Sequence, residues 1–174
     1  MSTTGAEEGR DQEGQKGVGP AKHHIVVGVD GSAWSRAALE WALREAEAKG
    51  ADVTAIFAWQ VPFLSFPGAF DHDRLEKAAK DYLIEVTSAV APSPKVPLWT
   101  IVAEGDPTES LITASNDADL LVLGTRGRSR FIGLLLGSVS QGCAANAACP
   151  VVLVNATGVT SSRRGVPPEQ PSAP

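Results

Sequence analysis

Two glycine-bearing stretches of the 174-residue chain carry groups suited to holding an anion. The longer begins Gly124-Thr125-Arg126-Gly127-Arg128, runs through an apolar segment, and ends Gly137-Ser138-Val139-Ser140. Glycine lets a backbone approach a ligand closely and leaves its N–H groups exposed. Arg126, Arg128 and Arg130 put three positive charges within five residues. Gly137-Ser138 opens a helical pattern, and the unpaired N–H groups and dipole of a helix start favour an anion. A phosphate matches this combination. The plainer alternative is a loop of solvated arginines followed by a structural Ser138-x-x-Gln141 capping box. The shorter stretch is Gly28-Val29-Asp30-Gly31-Ser32. It sets a carboxylate beside free N–H groups at a helix start. A turn with an N-cap accounts for it at least as well, because Asp, Gly and Ser are ordinary turn residues.

A hydrolase or transferase needs a positioned base or nucleophile. Beside these loops only Asp30 is an obvious ionisable candidate. His23 and His24 precede the first strand, and His72 follows a long connection. There is no Gly-Lys-Ser/Thr of the Walker type and no Ser-Gly-Gly-x-Asp-Ser pyrophosphatase loop. Cys143 and Cys149 make no disulfide framework and fit a reduced, intracellular setting, and Cys143 reads as a packed thiol. Trp34, Trp41 and Trp59 fall at helical and strand spacing and read as packing residues rather than a ligand cage.

The elements that must position these loops alternate. Short apolar runs at Ile25–Val29, Val53–Trp59, Leu98–Ala103, Leu120–Leu123 and Val151–Val154 predict strands. Between them lie helical stripes. The first holds Trp34, Ala38, Trp41, Ala42 and Ala48, with Ser32 as cap and Gly50 as stop. The second runs from Leu75 to Val90 after a connection from Gln60 to Phe70. The third opens Asp106-Pro107-Thr108-Glu109, with a capping Asp and Pro at the first helical position. Strict strand–helix alternation predicts one three-layer α/β/α domain around a parallel sheet. Ligands of such sheets bind beyond the carboxyl ends of the strands, where strand order reverses. Both glycine stretches follow strands.

Residues 23–155 form the expected domain, flanked by disordered tails at 1–22 and 156–174 that hold too few apolar side chains to offset their ordering entropy. The tails carry net charges of −1 and +1, so the formal −5 of the chain belongs to the core. An acidic chain without a dense basic block is a poor partner for nucleic acid. No apolar run reaches bilayer length, so no membrane partner is expected and the cytoplasm is the default location. The apolar Val151–Val154 run reads as an exposed edge strand, which pairing with a second copy would cover.

The spacing Gly-x2-Gly-x9-Gly-Ser from Gly124 to Ser138 resembles the signature of the universal stress protein family. The resemblance extends over residues 24–155. It includes Ile25-Val26-Val27-Gly28-Val29-Asp30, Glu104-Gly105-Asp106-Pro107, Ala118–Gly124 and Cys149–Val154, in order. It implies a Rossmann-like five-stranded parallel sheet of order 3-2-1-4-5, so that the reversal falls between strands one and four. It implies a small cytoplasmic ATP-binding regulatory module of the stress response, a homodimer, with any Mg2+ carried by the phosphates. The alternatives are a slow Mg-dependent ATPase of the same fold, with Asp30 positioning metal or water, and a flavin or redox domain of similar layers. In this resemblance Asp30 lies on the ribose and adenine side and the backbone near Ala58 meets the adenine. Gly127, Arg128, Gly137, Ser138 and Ser140 surround ribose and phosphates. Gly28, Gly31, Ser32, Gly124, Thr125, Arg126 and Val139 complete the expected site.

Overall fold

The computed structural model describes residues 23–60, 71–127, 136–156 and 160–161. Apolar runs and helical stripes alternate as β1 (His24–Gly28), α1 (Ala33–Lys49), β2 (Asp52–Trp59), α2 (His72–Val90), β3 (Leu98–Glu104), α3 (Pro107–Ala114), β4 (Leu120–Gly124), α4 (Ser138–Asn146), β5 (Val151–Val154) and β6 (Thr160–Ser161). A 3-10 turn at Ser115–Asp117 joins α3 to β4. The expected tails lie outside the described residues, apart from residues 156 and 160–161. So do residues 61–70 of the long connection, and Arg128 and Arg130.

Local chemistry sets the helix ends. Ser32 accepts from the Ser35 N–H at 3.2 Å at the start of α1, and Gly50 closes it in the left-handed region at φ 65°. Asp71 caps α2 through the Arg74 N–H. Asp106 caps α3 through the Thr108 and Glu109 N–H groups, with Pro107 at the first helical position.

The strand order is β3-β2-β1-β4-β5-β6. The first five strands are parallel and run in the expected order 3-2-1-4-5. Alternating side chains of β1 divide between two cores. Val27 joins Leu39, Val53, Leu83 and Val122 under α1 and α2, and Val26 joins Ile56, Leu111, Leu121 and Cys143 under α3 and α4. Full burial of each such aliphatic side chain contributes about 1.5–3 kcal/mol. That is large beside a typical domain stability of about 5–15 kcal/mol, so the sheet is a rigid base for its loops.

Three expectations change. The buried stripe of α1 is Ser35, Ala38, Leu39, Ala42 and Ala46, so Ala46 replaces Ala48. Four-residue steps from Ala38 keep one face toward the sheet, and Ala48 falls off that face. Ser138 does not cap α4, as the site geometry explains below. Finally, β5 is not a bare edge: β6, inside the expected tail, pairs antiparallel with it, Thr160 opposite Val154 and Ser161 opposite Leu153. Val151 and Val152 have no such partner on β6.

Candidate functional site

The chain leaves β1 toward β2 and leaves β4 toward β5, so a crevice opens between the loops that follow β1 and β4. Asp30, just beyond β1, is held on every side. Its N–H donates to Ser35 Oγ at 3.3 Å. Its Oδ1 accepts from the Ser32 N–H at 3.0 Å. Its carbonyl accepts from the Tyr82 hydroxyl at 3.1 Å. Gly31 adopts φ 80°, and a Cβ there would stand 1.8 Å from the Tyr82 hydroxyl oxygen. Conformation and space both require glycine at this turn.

Two bonds close the far side. The Thr125 N–H donates to Val154 O at 2.8 Å, and the Gly137 N–H donates to Thr125 O at 2.8 Å. The second bond brings the two ends of the Gly124–Gly137 loop together. It also keeps Gly137 extended, at φ −72° and ψ 159°, as the N-cap of α4. Ser138 is therefore the first helical residue, one position past the cap. Among the described residues no side chain caps this helix. Its first turn bond runs from the Gln141 N–H to Gly137 O at 2.9 Å. The N–H groups of Ser138, Val139 and Ser140 precede that bond and lie at the helix's positive end. The Ser140 hydroxyl is spent elsewhere: buried, it donates to Gly124 O at 2.6 Å and fixes the end of β4.

These loops enclose a cavity of about 320 Å³. Of the expected residues, Gly28, Asp30, Ala58, Gly124, Arg126, Gly127, Gly137, Ser138, Val139 and Ser140 line it. Gly31, Ser32 and Thr125 do not; they shape the two turns behind it. Arg128 lies outside the described residues. The cavity also takes Val29, Ser35, Ile56, Phe57, Pro107, Leu111 and Leu123. Ile56 and Phe57 precede Ala58 on the same strand, so the strand-end rule reaches them. Pro107 and Leu111 come from α3, and no local signal ties that helix to the crevice.

The lining is mixed in chemistry. Ile56, Phe57, Ala58 and Leu111 contribute apolar surface, and the glycine turns with the α4 terminus contribute polar groups. Its size is at the lower end of small-molecule sites, about 300–1,000 Å³. An aromatic base against the apolar residues and an anion at the helix start would satisfy both kinds of lining.

Other chemistry-bearing groups stand apart. His23 lies 3.8 Å from Asp119, and His24 pairs with Asp52, both at the amino end of β1. His72 bonds Glu104 at 2.8 Å and packs against Trp59, with ring centroids 5.2 Å apart and planes tilted by 60°. The Glu104 carboxylate raises the His72 pKa above its usual 6.5. Burial, helped by the Asp106 charge, pushes the Cys143 thiol up to about 11. Such a thiol is a packing group rather than a nucleophile. No tryptophan among the described residues lines the cavity. Among the described residues no helix is long and apolar enough to cross a membrane, and no group of three or more His, Cys, Asp or Glu is placed to hold a metal ion.

The model of the universal stress protein family matches residues 22–155. Universal stress protein Rv2623 of Mycobacterium tuberculosis is 33% identical over 136 residues, covering 77% of this chain and 46% of that protein. The chain thus spans about half the length of the curated relatives it matches. Among solved structures, a universal stress protein in complex with cAMP is 26% identical with a TM-score of 0.60, over 76% of this chain and 96% of that one. A universal stress protein family protein from Arabidopsis thaliana with AMP bound is 23% identical with a TM-score of 0.55, over 76% and 91%. The fold of that protein is shared. On the strength of the matched residues 22–155, the chain belongs to the universal stress protein family.

Proposed function

We propose that the cavity binds an adenine nucleotide, ATP foremost, and that the protein is a cytoplasmic regulatory module of the stress response rather than a fast enzyme. One observation carries this reading. Among the described residues α4 is the one α-helix that starts without a side-chain cap, and that start lines a cavity that the apolar Ile56 and Leu111 also line. A phosphate accepting the α4 N–H groups would serve as the missing cap, and the base would lie toward Ile56, Phe57 and Ala58. The neighbours bound to cAMP and AMP support an adenine ligand. Mg2+ would travel on the phosphates, where its charge offsets theirs. The Asp30 carboxylate already accepts the Ser32 N–H, so its first task is to shape the turn. That favours binding over the slow Mg-dependent ATPase reading, in which Asp30 positions metal or water.

The domain in this reading is residues 23–155, with tails on either side. Its expected partner is a second copy at Val151–Val154. Because β6 covers Leu153 and Val154, pairing along the whole strand requires β6 to move. Calorimetric titration of the purified protein with ATP, AMP and cAMP tests the nucleotide reading. Saturable binding is expected, and no heat at millimolar nucleotide overturns it. Light scattering with and without ATP tests the dimer, and a monomer in both overturns it.

A further inference from the structure

Tyr82 stands behind the cavity without lining it, yet it braces two of the lining residues. Its hydroxyl donates to the Asp30 carbonyl at 3.1 Å. Its ring lies against Phe57, with centroids 5.2 Å apart and planes tilted by 56°. Asp30 lies just beyond β1 and Phe57 lies on β2, and both line the cavity. The side chain is half-buried on α2, whose neighbour Leu83 is fully packed in the core. The turn is shaped to receive it, since any Cβ on Gly31 would overlap the hydroxyl.

We infer that Tyr82 is a positioning residue of the nucleotide site. It holds the Asp30–Gly31 peptide and Phe57 in the geometry that accepts ligand. The inference rests on the nucleotide reading above. The Asp30 carbonyl belongs to the peptide that leads into Gly31, the most freely rotating residue of the turn. With the hydroxyl bond in place this peptide is fixed. The Ser32 N–H then meets Asp30 Oδ1, and the other carboxylate oxygen faces Gly127. Without the bond the carbonyl loses a donor, the peptide gains freedom, and the carboxylate orientation loosens with it. A ligand must then order the turn on binding, which weakens affinity.

Tyr82→Phe tests this, because it removes the hydroxyl and keeps the ring on Phe57. The dissociation constant for ATP is expected to rise about three- to tenfold, the scale of one hydrogen bond. The Ser32 amide of the ligand-free variant is expected to exchange faster with solvent. A purely structural tyrosine would lower the melting temperature and leave both the affinity of the folded protein and Ser32 exchange unchanged. If the wild-type protein binds ATP and the variant binds it as tightly, the inference is overturned and the nucleotide reading stands. If the wild-type protein binds no adenine nucleotide, both fall. Ser32 exchange reads the turn without ligand, so unchanged exchange overturns the bracing role by itself.

Discussion

The carboxylate of Asp30 faces Gly127 across the crevice so closely that a Cβ on Gly127 would stand 2.7 Å from Asp30 Oδ2. Two loops far apart in sequence thus meet where the sheet reverses. Gly127 has no positive φ, so glycine is needed there for space rather than for conformation. Gly127→Ala must push the carboxylate or the loop aside. The atom displaced is the far end of one side chain, so the cost is at the low end of overpacking, about 1 kcal/mol. ATP affinity is expected to fall at least about tenfold, the equivalent of 1.4 kcal/mol. Calorimetric titration checks this, and unchanged affinity would show that the contact does not shape the site.

Gly31→Ala is the harsher change. Gly31 sits at φ 80°, and its Cβ would overlap the Tyr82 hydroxyl oxygen. A side chain at left-handed φ alone costs about 1–2 kcal/mol, and the collision adds to it. Denaturant unfolding should show a loss above about 2 kcal/mol. Adding Tyr82→Phe should recover part of that loss, because the nearest colliding atom is gone. No recovery in the double variant would place the strain elsewhere.

His72 supplies a pH readout. Its pKa is raised above 6.5 first by the hydrogen bond to Glu104 and then by the charge of that carboxylate. A raised folded-state value means the stabilisation is fully present below the unfolded value near 6.5. It is lost as pH rises through the folded value. The pair is exposed, so the effect belongs to a surface contact. An NMR titration of His72 should give a midpoint above 6.5 in the wild-type protein and a lower one in Glu104→Gln. Equal midpoints would mean the pair is not formed in solution.

The residue types and their order reveal most of this architecture. The caps at Ser32 and Asp106 and the stop at Gly50 are legible because each is decided within one turn of chain. The strand runs fall within one residue of the elements observed, because the central strands β1, β2 and β4 are covered on both faces and polar residues mark the ends; edge strand β3, with Trp99 and Ile101 exposed, is legible from its apolar run instead. Ser138 is misplaced by one position for a physical reason. The bond from Gly137 to Thr125 crosses the whole loop, and it decides which residue lies outside the helix. Pro107 and Leu111 reach the cavity only through the packing of α3 beside β2, which no spacing encodes. Strand β6 is two polar residues long and depends entirely on the edge it meets.

The uncapped start of α4 allows the sharpest test. Gly137 has the extended backbone of an N-cap, and a Cβ there meets nothing nearer than 3.6 Å. Gly137→Asp would therefore fit, supply a side-chain acceptor to the first turn, and place a negative charge at the positive end of the helix. The ligand-free protein should gain about 0.3–1 kcal/mol in denaturant unfolding. The same carboxylate would occupy and repel the phosphate position, so ATP affinity should fall by at least about tenfold, or 1.4 kcal/mol. Gly137→Asn separates the two causes. It caps without charge, so its stability gain should be smaller, and its loss of affinity should reflect occupation alone. Stability rising while affinity falls is the signature of a helix start left open for a ligand. Unchanged ATP affinity in Gly137→Asp would mean that the phosphates lie elsewhere in the cavity.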